Sequence, residues 1–234
     1  MNGAVRNLIL TGGIGHPFAE AAPALERILA EAGAGIVSTV TDDIEAGLEA
    51  LERGGFDLLT VYALRWRMLG SEKYAPHRER WAFSLSPDGR QRLSRFVAGG
   101  GGLLGLHTAL ICFDDWPEWK DLLGGAWVWG RSAHPPRGPV TLIPTDMPHP
   151  LTAGLPPFTV TDETYGDFDL AADVQPLAMV APEGGSAWPA LWARDFGRGR
   201  VVADTLGHDR ASLEHPVHRQ VLTRAALWAC RRPL

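Results

Sequence analysis

Cysteine is scarce in this 234-residue chain: only Cys112 and Cys230 occur, forming neither a CxxC metal pair nor a disulfide framework. A reduced, cytoplasmic protein is therefore expected. No apolar run reaches the roughly 18 residues of a membrane span. The opening stretch MNGAVRNLILTGG lacks the longer apolar core and cleavage site of a secretory signal, so no membrane association is expected. Basic residues do not dominate either. With 22 Lys and Arg against 27 Asp and Glu, the net charge of -5 argues against a nucleic-acid surface, which needs a basic stripe. Internal repeats, low-complexity tracts and linker-like stretches are missing, and residues 1–234 are expected to form one domain. HExxH is missing, and the residues at 12–17 have neither GxGxxG nor the Walker lysine and hydroxyl. The GGIGHP run at 12–17 is better read as a tight strand-to-helix turn than as a phosphate loop.

What is present is a repeating pattern of short apolar runs and amphipathic helices. Residues 7–11 (NLILT), 36–40 and 58–62 read as strands, the first closed by Gly12-Gly13 and the second followed by Asp42-Asp43. Between them, Phe18, Ala21, Leu25, Ile28 and Leu29 recur at helical spacing up to Gly33, and Ile44, Leu48 and Leu51 do so after Asp42-Asp43. Strand-helix alternation with short connections predicts an α/β fold with a mostly parallel sheet and helices on both faces. A third helix starts at Ser86-Pro87 and runs into four glycines, Gly99 to Gly102, expected to supply positive φ angles and close backbone approach. The strand 103–106 follows, and His107 sits at its end. Beyond it, short strands are expected at 140–144, 158–162, 177–181, 190–194 and 201–204, a β-rich C-terminal extension of the same sheet. Pro216 opens a closing helix.

In open parallel sheets ligands bind outside the carboxyl ends of the strands. His16, His107 and His208 each lie just past a strand, so parallel neighbours would gather them at one edge. Tyr62 and Arg65 end the 58–62 strand there, and Asp162, Glu163 and Tyr165 end another. Such a set can work as acid, base and hydroxyl-binding groups on a polar substrate, with His107 and Glu163 as the catalytic pair. His16, His107 and His208 are also candidate ligands for a divalent transition metal such as zinc, assembled from distant segments. Nucleophilic catalysis is disfavoured, because Cys112 falls five residues past the turn and no serine occupies it. His134 is a further loop candidate. His149, His215 and His218 are expected in turns or helix starts, and Asp114 and Asp115 as caps. Trp127 and Trp129 could stack on a sugar ring or fill the core. The irregular segment 63–85 mixes five basic residues with Trp66, Tyr74, Trp81 and Phe83. It reads either as a pocket wall for a polar ligand or as a subunit contact of a homo-oligomer.

The order of these motifs is specific. GGGLLGLHTA, FDDWPEWKDLLGG, His134, HPLTAGLPPFTVTDETY and PALWARDFGRGRVVADTLGHD together resemble the ThuA-like (trehalose-utilisation) family over nearly the whole chain. The resemblance implies a flavodoxin-like sheet similar to that of class I glutamine amidotransferases, and a small-molecule sugar as partner. Matching residues are His16, His107, His134, Asp162, Glu163, Tyr165, Gly207, His208 and Asp209. Amidotransferases carry a cysteine where His107 stands, so thiolate glutamine hydrolysis is not expected. A sugar-active enzyme and a non-catalytic sugar-binding or regulatory protein are both compatible with that change.

Overall fold

A computed structural model describes residues 3–32, 35–182 and 184–234. Gly33, expected to stop the first helix, lies outside the described residues. The amino-terminal half follows the predicted alternation: β1 (Val5–Gly12), α1 (Phe18–Ala30), β2 (Ile36–Thr41), α2 (Ile44–Glu52) and β3 (Leu58–Ala63). The irregular segment contains a short α3 (Arg78–Trp81), and α4 (Pro87–Ala98) and β4 (Gly102–Leu106) follow it. Local chemistry sets the helix starts. Asp43 accepts from Ala46 N at the head of α2, and Ser86 Oγ from Gly89 N at the head of α4.

The carboxyl-terminal half adds α5 (Glu118–Leu123), β5 (Gly125–Ala126), β6 (Gly138–Pro144), β7 (Phe158–Asp162) and β8 (Asp169–Leu170). β9 (Ala178–Pro182), β10 (Trp188–Phe196), β11 (Gly199–Asp204), α6 (Arg210–Leu213) and α7 (Pro216–Ala229) complete it. Nine strands form one sheet in the order β2-β1-β3-β4-β11-β10-β9-β6-β7. The first five are parallel, a flavodoxin-like order in which β11 takes the fifth place. The remaining joins, from β11 to β7, are all antiparallel. β5 and β8 pair separately. β3 and β4 are buried along their whole length, as central parallel strands covered on both faces must be. β2 is an edge strand and exposes Val37. Helices α1, α6 and α7 pack together, whereas α2 pairs with α4.

Two consequences of this topology position the site. β1, β3, β4 and β11 point their carboxyl ends to one edge. Four antiparallel joins separate β7 from β11, an even number, so β7 ends at that edge as well. In a flat sheet five strand spacings would leave β7 about 24 Å from β4. The contacts between Glu163 and His107 described below therefore require the antiparallel half to curl back over the parallel half.

The four-glycine run works differently from the expectation. Only Gly100 has a positive φ, +119°. Gly102 is needed for close approach, since a Cβ there would fall 2.9 Å from the Ala229 carbonyl carbon in α7. Gly102→Ala is expected to cost about 1–3 kcal/mol by forcing α7 off the sheet. Urea unfolding would show it as a lowered midpoint with an unchanged slope.

Candidate functional site

His107 stands at the turn that follows β4. It is the first residue after β4, opens the 3-10 turn His107–Ile111, and has φ +48°, a left-handed conformation that β-carbon residues rarely adopt. The strain turns its ring inward beneath the sheet edge, where it is fully buried. Its Nδ1 donates to the Thr205 carbonyl at 2.7 Å, just past β11. That bond leaves Nε2 as the working atom. Around Nε2 lie His16 Nε2 at 3.0 Å, the Tyr165 hydroxyl at 2.9 Å and a Glu163 oxygen at 3.5 Å.

His16 reaches this point from the turn after β1, with Nδ1 3.4 Å from the Ile14 carbonyl. His208 arrives from the turn after β11, and its Nδ1 lies 3.4 Å from the second Glu163 oxygen. Glu163 is thus the hub: His16 Nε2 is 3.8 Å away and His134 Nδ1 3.7 Å. The electrostatics follow from burial and charge. Burial disfavours an ionised Glu163, but His107, His16 and His208 outweigh it and hold the carboxyl far below the usual range. Burial lowers the pKa of His16. It also opposes a charged His107, yet Glu163, Asp162 and the Thr205 carbonyl together raise that pKa. A positive charge on the shared His16–His107 contact therefore belongs on His107, with Glu163 as its counter-ion.

Above this cluster opens a cavity of about 550 Å³, well sized for a small ligand. Trp66, Tyr74, Trp127 and Trp129 wall it; Trp66 and Trp129 stack with centroids 5.9 Å apart. His16, His134, Glu163 and Tyr165 line its polar end. His107 and His208 lie beneath and behind these residues and do not line it. The irregular segment 63–85 thus supplies a pocket wall through Trp66 and Tyr74. Trp81 does not join them and packs under the Arg65 guanidinium, 5.0 Å from its ring centroid.

Several residues assigned to substrate from the sequence have other partners. Arg65 donates to the Asp42 carbonyl at 2.8 Å and points away from the cavity. Tyr62 is completely buried and donates to the Gly207 carbonyl at 2.6 Å, fixing the loop that carries His208. Asp162 is also completely buried and accepts from backbone amides, as described below. Cys112 closes the 3-10 turn; its buried thiol donates to the Ala63 carbonyl, and burial pushes its pKa up to about 12, unfit as a nucleophile. His149 accepts from Leu151 N, and His215 caps α7 through Val217 N. Asp114 and Asp115 are clamps more than caps, holding Arg67 and Arg90 respectively. His218 is fully buried against Asp204, which its place near a helix start did not suggest.

With this geometry in hand, the relatives are informative. The model of a family described as trehalose utilisation, ThuA, matches residues 6–229. The chain belongs to the ThuA family. A ThuA-like protein from Parabacteroides merdae ATCC 43184 superposes with a TM-score of 0.75 at 19% identity, covering 97% of this chain and 90% of that one. A ThuA-like protein from Bacteroides uniformis ATCC 8492 gives 0.71 at 20% identity, covering 98% and 93%. A cold-adapted β-galactosidase from Rahnella sp. R3 gives 0.62 at 15% identity; the match takes in 99% of this chain but 32% of that enzyme. At these identities the likeness is one of fold. No curated protein matches the sequence. Among the described residues of this ThuA chain no helix is long and apolar enough to cross a membrane.

Proposed function

We infer that the protein is a sugar-active enzyme that binds a saccharide or its keto form against the tryptophan wall and works on it at Glu163. The carrying observation is the junction of two surfaces in one cavity. The half-buried Trp127 and Trp129 offer aromatic surface to the apolar side of a pyranose ring, with the buried Trp66 stacked against Trp129, and the indole nitrogens of all three have no hydrogen-bond partner in the protein. Directly beside them, Glu163, His16 and His134 present a carboxylate and imidazoles to ligand hydroxyls. The family's description, trehalose utilisation, points to the same substrate class.

The geometry divides the labour. Glu163 and His16 touch the ligand, and Glu163, held ionised by the surrounding imidazoles, accepts hydrogen bonds from ligand hydroxyls. His107, sealed below the cavity, acts through Glu163 as its charge partner and through its 3.0 Å contact with His16. Glutamine amidotransfer is not part of this reading, since His107 stands where amidotransferases carry their cysteine.

Two measurements test it. Trp129→Ala should weaken sugar binding by about tenfold or more, the order of 1.4 kcal/mol expected for a lost stacking platform. Glu163→Gln should keep binding but abolish conversion of disaccharides or keto-sugars followed by NMR. Binding with every candidate sugar recovered unchanged from wild type would leave a sugar-binding protein in its place. No binding of any saccharide, with the fold intact, would remove the sugar assignment altogether.

A further inference from the structure

We propose that His16, His107, Glu163 and His208 hold a divalent first-row transition-metal ion at the floor of the cavity. The proposal rests on this cleft being the functional site, though not on its ligand being a sugar. One donor atom from each residue lies within 4.8 Å of every other. Ligands bound at roughly 2.0–2.1 Å are separated by about 2.9 Å at right angles and about 3.4 Å at tetrahedral angles. The separations found here are 3.0 Å for His16–His107, 3.4 Å for His208–Glu163, 3.5 Å for His107–Glu163 and 3.8 Å for His16–Glu163. The 3.4 Å contact uses the second Glu163 oxygen and every donor pair lies within 4.8 Å, so an ion would draw the outermost groups in by up to about 1.4 Å.

The tautomers agree with this. His107 Nδ1 is committed to the Thr205 carbonyl and His16 Nδ1 faces the Ile14 carbonyl. In the metal-free chain a proton bridges the two Nε2 atoms at 3.0 Å; an ion binding there displaces that proton and takes both lone pairs. A backbone carbonyl behind a ligating imidazole is the usual outer-shell partner that fixes ring orientation. His208 Nδ1, buried and without a hydrogen-bond partner, faces the same centre. Three imidazoles with one carboxylate suit zinc, iron, cobalt or nickel better than magnesium or calcium, which prefer all-oxygen shells. The ion would sit where Glu163 and His16 meet the cavity, so a ligand oxygen could approach it from that side.

The full-length chain, stripped with a chelator and dialysed, would be titrated separately with Zn²⁺ and Co²⁺. The expected result is retention of one ion per chain by elemental analysis, with a visible Co²⁺ spectrum of low-symmetry N/O coordination. At a hundredfold excess over Kd, Tm should rise by roughly 5–10 °C. His208→Ala, His16→Ala and Glu163→Ala should each lose stoichiometric binding, while His134→Ala, at the rim and 40% exposed, should keep it. Should His16→Ala fail to fold, the more exposed His208→Gln carries the same test. Absence of retained ion and of any Tm shift in wild type overturns the proposal, as does binding that survives His208→Ala and Glu163→Ala unchanged. A metal-bound chain that ignores every saccharide sinks the sugar reading alone; a metal-free chain that converts one sinks the metal alone.

Discussion

Asp162→Ala should be among the most destabilising single substitutions in this protein, costing on the order of 3–5 kcal/mol. Asp162 ends β7 and is completely buried. One carboxylate oxygen accepts from Glu163 N at 2.7 Å and lies 3.3 Å from His208 N. The other accepts from Gly207 N at 2.8 Å and from the Ser212 hydroxyl. A single side chain thus ties the backbone of Glu163 to the loop that carries His208, two segments 45 residues apart. Alanine leaves these donors buried and unpaired, each at about 1–3 kcal/mol. It also releases the end of β7 from the Gly207–Ser212 loop. Asp162→Asn should fall between, because its amide NH₂ meets N–H donors where the wild-type oxygen accepted them. Urea unfolding of both variants measures the loss directly. A loss under about 1 kcal/mol for alanine would mean that the β7 end is held by packing and not by this carboxylate.

Asp162 also marks the boundary of what could be read before the fold was known. The strand sequence was legible because the runs are short and apolar, and strand ends located His16, His107, Glu163 and His208 together. Strand position alone does not say which way an end residue turns its side chain. Asp162 and Tyr62 look like cleft residues on that criterion, yet both serve the Gly207–His208 loop from within. Arg65 turns back on Asp42 for the same reason. The tryptophan wall joins Trp66 to Trp127 and Trp129, about sixty residues away, through the return of the chain beside the His107 turn; no local period encodes it. Nor does local sequence reveal the buried partner of His218. Its place in the first turn of α7 resembles that of His215, but one caps the helix while the other points at Asp204 on the end of β11.

That buried partner predicts a stability that falls as pH rises. His218 donates from Nδ1 to the Ser212 carbonyl at 2.8 Å and from Nε2 to Asp204 at 3.1 Å. Only imidazolium has a donor on both nitrogens, so the folded protein holds His218 charged. Burial opposes that charge, but Asp204, the Ser212 carbonyl and Asp162 outweigh it and raise the pKa above its ordinary value. The unfolded chain releases this proton near pH 6.5 and the folded chain releases it higher. The pair's contribution is therefore complete below about pH 6.5 and is lost as pH climbs through the folded pKa, at up to about 1.4 kcal/mol per pH unit between the two. His218→Gln removes the titration and strands Asp204 in the core, at a cost on the order of 3–5 kcal/mol while the wild-type pair is charged. Unfolding free energies of both proteins, measured by urea from about pH 6 to 9, should converge as pH increases. His107, also raised, is common to both and cancels in the difference. A gap that stays constant across that range would mean a neutral His218 in the folded state, with the Asp204 contact contributing through its hydrogen bond and not its charge.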